Sequence, residues 1–155
     1  MTPIHTNELS RAFDELGFAC RRPHSELVTN VSELCHELGW MLQDLPIELI
    51  VPDPEGKVEM GFRMQPAIAF QQRVILVQNS KVLIFGDDGG GNLLFVSELH
   101  QGKVGLAFEV PEDILMTDFK NTEGILFWKE EFLEWLRHFG KHGHKYLDKP
   151  FDDVK

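Results

Sequence analysis

Residues 84–95 read IFGDDGGGNLLF, with three consecutive glycines between an acidic pair and an asparagine. Apolar residues stand on both sides of this polar centre. Gly is favoured in turns because it adopts backbone angles closed to other residues, and Asp because its side chain bonds to nearby amides. The stretch therefore predicts two β-strands joined by a turn. So short a connection favours an antiparallel pair, since a parallel crossover needs about a dozen residues or more.

The middle of the chain repeats this alternation of short apolar runs with polar or glycine-containing breaks. The runs are residues 58–64, 74–77, 82–85, 93–96 and 104–108. Short breaks favour antiparallel neighbours, and runs that are apolar on both faces favour a sheet covered by helices. The sequence therefore predicts a mostly antiparallel sheet in the middle of the chain.

Two helices are predicted before the sheet. The first has apolar residues at helical spacing, namely Leu9, Ala12, Phe13 and Leu16. The second has an apolar side made of Leu27, Val31, Leu34, Cys35 and Leu38. The capping residues place the first helix between Thr6 or Asn7 and Gly17, and the second between Ser25 and Gly39.

A long amphipathic aromatic helix is predicted at the C-terminus. Its apolar face consists of Ile125, Trp128, Phe132, Trp135, Leu136 and Phe139. Gly140 is expected to end it. Together with the N-terminal helices and the sheet, this helix predicts an α+β fold, and 155 residues fit one domain with a proper core.

The charge balance bears on possible partners. Acidic residues number 25 against 15 basic ones, so the formal net charge is -10. Such a surface repels phosphate backbones and anionic membranes, which disfavours direct nucleic-acid or membrane binding. It attracts a basic protein partner and speeds the encounter. A solubility role for the same charge is the alternative.

The two cysteines, Cys20 and Cys35, form no metal-type spacing and no disulfide framework. No activating partner for a nucleophile is evident in the sequence. The first residues lack a signal peptide pattern, and no apolar stretch approaches the roughly 20 residues needed to span a bilayer. The sequence therefore predicts a cytoplasmic protein with reduced thiols.

The glycine-rich segment has two alternative interpretations. A phosphate-binding loop opens a helix and usually carries Lys beside Ser or Thr, whereas these glycines lead into the apolar run 93–96. Asp87, Asp88 and Asn92 offer oxygen ligands for calcium, but the bidentate Glu of an EF-hand loop is absent. A turn between strands is the favoured interpretation.

A histidine cluster near the C-terminus is a candidate zinc site. His138 and His142 have the i, i+4 spacing of a helical site, and His144 is close by. However, Gly140 lies between them, and no His-Glu-x-x-His arrangement is present. Histidines at a helix C-terminus also complement its dipole without any metal, so no metal is expected.

The segment Phe85-Gly86-Asp87-Asp88-Gly89-Gly90-Gly91-Asn92, the strand after it and the later Gly102-Lys103-Val104 resemble the signature of the SUKH superfamily. That superfamily includes the yeast Smi/Knr-type cell-wall synthesis regulator and many bacterial immunity proteins of polymorphic toxin systems. The order of helices, strand-rich middle and aromatic helix is also similar. The resemblance implies a non-enzymatic domain with a curved sheet and flanking helices. Members bind partner proteins, often nuclease or other toxin domains, and neutralise them.

We therefore expect one SUKH-like domain over residues 1–155, with an additional N-terminal helix in residues 1–22 and a loose tail in residues 141–155. We expect it to bind a protein partner, such as a basic toxin domain or the target of a regulatory scaffold, as a monomer or weak homodimer. The candidate partner-binding residues are Asp87, Asp88, Glu98, Glu109, Glu112 and Asp113.

No catalytic residue and no cofactor are expected. One alternative is a small-ligand or metal-binding regulatory domain that uses the Gly-rich acidic loop. The other is a structural or homo-oligomeric protein whose exposed strand edges pair.

Overall fold

The computed structural model describes residues 1–45, 49–51, 62–64, 74–77, 80–87, 93–98, 100–107 and 125–142. Its elements, in chain order, are β1 (Ile4–His5), α1 (Thr6–Glu15), β2 (Leu27–Val28), α2 (Val31–Met41), β3 (Leu49–Val51), β4 (Phe62–Met64), β5 (Val74–Val77), β6 (Ser80–Asp87), β7 (Leu93–Ser97), β8 (Lys103–Ala107), β9 (Ile125–Glu131) and α3 (Phe132–His142). Every described strand pair is antiparallel. The α+β class and the antiparallel sheet are confirmed.

Helix α1 has the predicted apolar face, because its apolar residues are buried in the core or packed against it: Leu9, Ala12, Phe13 and Leu16. The predicted cap at Thr6 or Asn7 is wrong, since His5 occupies the N-cap position. Thr6 lies inside the helix, and its hydroxyl donates to the carbonyl oxygen of Ser25 at 2.6 Å. Gly17 follows the helix with a φ of 87°, as its stop signal predicts.

Helix α2 begins later than the sequence predicted, because the short strand β2 precedes it. Leu27 lies in β2, which pairs with β1, and does not belong to the helix. Asn30 is the N-cap, and its side chain accepts a hydrogen bond of 2.9 Å from the Glu33 N–H. The predicted cap Ser25 is therefore wrong. Gly39 is not a stop either, because it is buried inside the helix.

Among the described residues, seven strands form the main sheet in the order β3-β4-β6-β7-β8-β9, with β5 also paired to β6. Strand β6 holds two neighbours on the same edge, because its first residues pair with β5 and its last residues with β4. The predicted runs 74–77, 82–85 and 93–96 all lie in strands. Residue 108 of the last run lies outside the described residues, as do residues 58–61 of the first.

The predicted long C-terminal helix is wrong in its first half. Residues Ile125–Glu131 form strand β9, and the helix starts only at Phe132. The four apolar residues ILFW at 125–128 suit a strand or a helix equally, because an uninterrupted apolar run has no period. The helix then continues to His142, so Gly140 does not end it. Most of the expected tail, residues 143–155, lies outside the described residues.

All three helices contribute to one core on a single face of the main sheet. Helix α1 contacts α3, and α2 lies on β6. The core includes an aromatic cluster from β6, β9 and α3: Phe85, Trp128, Phe132 and Trp135. Its rings meet edge to face, with centroids 5.2–5.6 Å apart, a geometry that adds about 0.5–1.5 kcal/mol per pair beyond burial.

Gly105 makes room for two aromatic rings on the opposite face of the sheet. It stands in register with Phe95 of β7 and Phe127 of β9. A Cβ at Gly105 would lie 2.4 Å from Phe95 Cζ and 2.9 Å from Phe127 Cε1. The two rings pack edge to face at 5.5 Å, and Phe95 is buried. The missing side chain is therefore what lets the two rings meet across β8.

Gly105→Ala should lower the free energy of unfolding by about 1–3 kcal/mol, because a methyl group overpacks this row. Urea denaturation of the purified chain measures the change. Phe95→Leu alone should also destabilise, but the double variant should lose less than the sum of the two single losses. Additive losses would show that the Phe95 ring is not what excludes a side chain at Gly105.

Candidate functional site

The glycine-rich segment connects two adjacent antiparallel strands. Strand β6 ends at Asp87 and β7 begins at Leu93, and these two residues are partners in the register. The prediction of a strand-to-strand connection is confirmed. Residues 88–92, which include Asp88, Gly89, Gly90, Gly91 and Asn92, lie outside the described residues. The chain re-enters the sheet at Leu93, directly after this segment.

The first motif residues are part of the scaffold of this hairpin. Phe85 is fully buried and packs edge to face on Phe132 and Trp135. A β-bulge lies between Ile84 and Gly86, where the pairing with β7 shifts, and such bulges bend a strand and re-aim its residues. Phe85 therefore anchors the hairpin in the core.

Asp87 lies half-buried at the end of β6. Its register partners are Leu93 on β7 and Arg63 on β4. Asp87 is thus the last strand residue before the glycine-rich connection.

Glu98 has a structural role that the sequence did not reveal. Its carboxylate oxygen Oε2 accepts a 2.9 Å hydrogen bond from the N–H of Val31, the first residue of α2. A carboxylate at a helix N-terminus bonds an otherwise unpaired N–H and complements the helix dipole. Glu98 therefore ties the end of β7 to α2. Glu109, Glu112 and Asp113, like Asp88, fall outside the described residues.

Glu98→Ala should lower the free energy of unfolding by about 0.5–2 kcal/mol, as loss of a helix cap does. Chemical denaturation measures it. Glu15→Ala, which removes an exposed acid at the end of α1, is the matched control and should stay within about 0.5 kcal/mol of the parent. Equal stability of the Glu98 variant and the parent would contradict the capping role.

The turn between β7 and β8 holds an unusual backbone conformation. Gln101 has a φ of 59° and Gly102 a φ of 81°. Hydrogen bonds fix both: the Gln101 N–H donates to the Glu98 carbonyl at 3.1 Å and the Gly102 N–H to the Ser97 carbonyl at 2.9 Å. The Gly102 carbonyl then accepts from the N–H of Phe132 at 3.2 Å, so the same turn also holds the start of α3.

A shallow open cleft of about 360 Å³ lies between this turn and β9. Its lining residues are His100, Gln101, Lys103, Phe127, Trp128 and Lys129. The His100 ring stacks on Phe127 with centroids 4.1 Å apart, and its Nδ1 lies 3.2 Å from the Ser97 hydroxyl. Burial, with a smaller contribution from the Lys103 ammonium, lowers the pKa of His100 below its usual value.

The sequence interpretation missed this cleft. When residues 125–131 are assigned to a helix, nothing indicates that Phe127 and Lys129 lie on the same surface as Lys103. In a strand, Phe127 and Lys129 are two residues apart and share a face, whereas Trp128 points into the core. A strand assignment for ILFW would have been the signal.

A second surface group surrounds the partly exposed Trp40 on α2. The guanidinium of Arg21 lies 4.6 Å from the centre of the Trp40 ring. The centre of the His24 ring also lies 4.6 Å from the centre of the Trp40 ring. Arg21 is held by Asp44 at 2.6 Å and Gln43 at 2.9 Å. These contacts fix the rotamers of the group, and nothing in the sequence pattern pointed to it.

The histidine cluster is only partly described. His138 of α3 lies 2.5 Å from the Glu130 carboxylate of β9, His142 is the last residue of α3, and His144 lies outside the described residues. Across the part of the chain that the structure describes, no group of three or more His, Cys, Asp or Glu side chains is arranged to hold a metal ion. His138 instead links the last helix to its preceding strand.

Both thiols have raised pKa values. Burial raises the pKa of the Cys35 thiol to about 11. Burial, and then the nearby Asp14 carboxylate, raise the pKa of Cys20 to about 11. Because the thiolate is the nucleophilic form, neither cysteine is activated at neutral pH.

At pH 7.5 the folded chain should react with a thiol reagent such as DTNB far more slowly than a free thiol does. At this pH fewer than about one in a thousand molecules carries either cysteine as the thiolate. Asp14→Asn should speed labelling of Cys20 but not of Cys35. The urea-unfolded chain is the control and should react fully. Rapid labelling of the folded protein would contradict the raised pKa values.

Comparison with known proteins gives no match: no family model, no curated protein and no solved structure matches the chain. None of the described helices is both long and apolar enough to cross a bilayer.

Proposed function

We propose that this chain is a non-enzymatic protein-binding domain that acts in the cytoplasm, in the manner of the SUKH immunity proteins that it resembles. Its partner is a basic protein domain, such as a toxin, which it neutralises by occupying the basic surface. The observation that carries the proposal is the hairpin of β6 and β7. It joins the Asp87 end of one strand to Leu93 of the next through the acidic, glycine-rich segment.

The hairpin is suited to presenting a recognition segment. Binding residues are often found on loops that a rigid scaffold positions. Here Phe85 holds β6 in the aromatic core two residues before Asp87, while Leu94 holds β7 there. Both ends of the connection are therefore anchored in the sheet and the core.

The charge supports a basic partner. The net charge is -10, and residues 1–45 alone carry seven acidic and three basic side chains. Most of these acids are exposed, including Glu26 and Glu33. Such a surface steers a basic partner and keeps nucleic acid away from it. Asp87 belongs to the proposed contact, whereas Glu98 contributes by holding α2.

The proposal of a non-enzymatic role draws on the chemistry of the described residues. The thiols have pKa values too high for a nucleophile. The glycines lead into a strand, which does not provide the helix N-terminus that a nucleotide loop uses. The described groups thus support recognition better than catalysis.

The test is affinity capture on the purified, immobilised chain from native lysate at about 50 mM and about 500 mM salt, since screening shortens the reach of surface charge. A basic protein should be captured at low salt and released at high salt. The captured protein is then produced in cells with and without this chain. We expect it to be toxic alone and harmless when the chain is present.

Two charge-reversal variants make the test specific. Asp87→Lys with Asp88→Lys should lose capture of that protein and protection of the cells. Asp14→Lys with Glu15→Lys changes the net charge equally on exposed α1 positions and should retain both. Equal loss in the two variants, or capture without protection, would overturn the proposal.

A further inference from the structure

The cleft beside the β7–β8 turn lies on the face of the sheet opposite to the three helices. Phe127 lies next to Trp128 in β9, and neighbouring strand residues point to opposite faces. Trp128 belongs to the core under the helices, so Phe127 faces the other way, towards Phe95. Ser97 contacts His100 of the same turn and is the last residue of β7. Asp87 pairs with Leu93 at the other end of β7. The cleft is therefore separate from the Asp87 end of the hairpin.

The chemistry of the cleft is opposite to that of the whole chain. Among the described residues that line it, the ionisable groups are Lys103, Lys129 and His100, and none is acidic. Two carboxylates occur next along β9, but both have other partners. Glu130 binds His138. Glu131 is the register partner of Lys103 on β8, and its carboxylate accepts a 2.7 Å hydrogen bond from the Thr2 N–H. The acids nearest in sequence therefore bond to groups outside the cleft lining.

The cleft also has a flat apolar wall. The half-buried Phe127 ring carries the His100 ring, stacked at 4.1 Å and with an interplanar angle of 24°. The Ser97 hydroxyl contacts Nδ1 of His100 and holds the imidazole in place. Packing against Phe95 holds the Phe127 ring. A flat wall beside ammonium and amide donors suits a ligand with a planar body and an anionic end.

The backbone at the edge of the cleft is strained. Gln101 has a φ of 59°, where a residue with a side chain costs more than glycine. Such conformations persist where the surrounding structure holds them, and they cluster at binding sites. At Gln101 this backbone conformation places an exposed amide side chain at the rim of the cleft.

We propose that this cleft binds a small organic anion, that is, a planar apolar body carrying a carboxylate or a phosphate group. Lys103 binds the anionic group together with the Gln101 amide, and Phe127 and His100 contact the planar body. Lys129 lines the same cleft from β9. The ligand class is opposite in charge to the basic partner proposed above, and the cleft lies at the other end of β7 from Asp87.

Isothermal titration calorimetry of the full chain tests the proposal with three probes of one shape: benzoate, phenyl phosphate and neutral benzamide. We expect saturable one-to-one binding of benzoate or phenyl phosphate, and the stronger of the two identifies the acid group. Benzamide should bind at least about tenfold more weakly, since it lacks the negative charge that strengthens a hydrogen bond from an ammonium group.

Variants locate the binding. Lys103→Gln should weaken the preferred anion about tenfold or more, and Lys103→Arg should keep most of the affinity. Arg11→Gln, which removes one positive charge from an exposed position on α1, is the matched control and should bind as the parent does. Thermal unfolding confirms that each variant is folded. The affinity of Gln101→Ala for the same anion tests a second residue, at the rim of the cleft.

Three outcomes would overturn the proposal. They are no saturable binding of either anion, binding of benzamide equal to that of the anions, and equal losses in the Lys103→Gln and Arg11→Gln variants. If Lys103→Gln does not fold, unchanged affinity in Gln101→Ala would equally overturn it.

Discussion

The chain passes from strand β9 into helix α3 without a loop, and the aromatic side chains at this junction hold the domain together. Trp128 on the strand and Trp135 on the helix meet edge to face at 5.6 Å, and Phe85 of β6 packs against both Phe132 and Trp135. Each buried aromatic side chain contributes about 1.5–3 kcal/mol. Because Phe132 N–H also donates to Gly102, the junction fixes the last helix relative to the hairpin and to the β7–β8 turn. The glycine-rich connection and the cleft both depend on that alignment.

Much of the fold could be predicted from residue patterns. The strands on both sides of the glycines were predicted because turn residues separate apolar runs, and α1 because its apolar spacing is helical. The spacing at 125–139 misled because Trp128 and Trp135, seven residues apart, also fall on one face of a helix. In the structure a strand and a helix bring the same two rings together through the junction. Leu27 was misassigned because a two-residue strand has no period of its own.

The candidate contacts depended on tertiary structure that a sequence does not show. Glu98 is acidic and follows a strand, which made it a plausible contact, yet its carboxylate reaches 67 positions back in the chain to α2. The net charge was equally uninformative about local surfaces. It averages over groups such as Glu130 and Glu131, whose carboxylates bond to other parts of the chain beside a lysine-lined cleft.

Strands β3 and β4 form a two-stranded ribbon at the edge of the main sheet. Only two described register pairs, at Arg63 and Met64, join this ribbon to β6. The two strands of the ribbon pair with each other over three positions, and Met64 is buried in the core. By contrast, β6, β7, β8 and β9 pair in series over four or five positions each. Segments held by few contacts open locally at lower free energy than the global unfolding. Among the described strands, the ribbon is thus joined to the rest of the sheet by the fewest backbone pairs, and the buried Met64 side chain anchors it in the core.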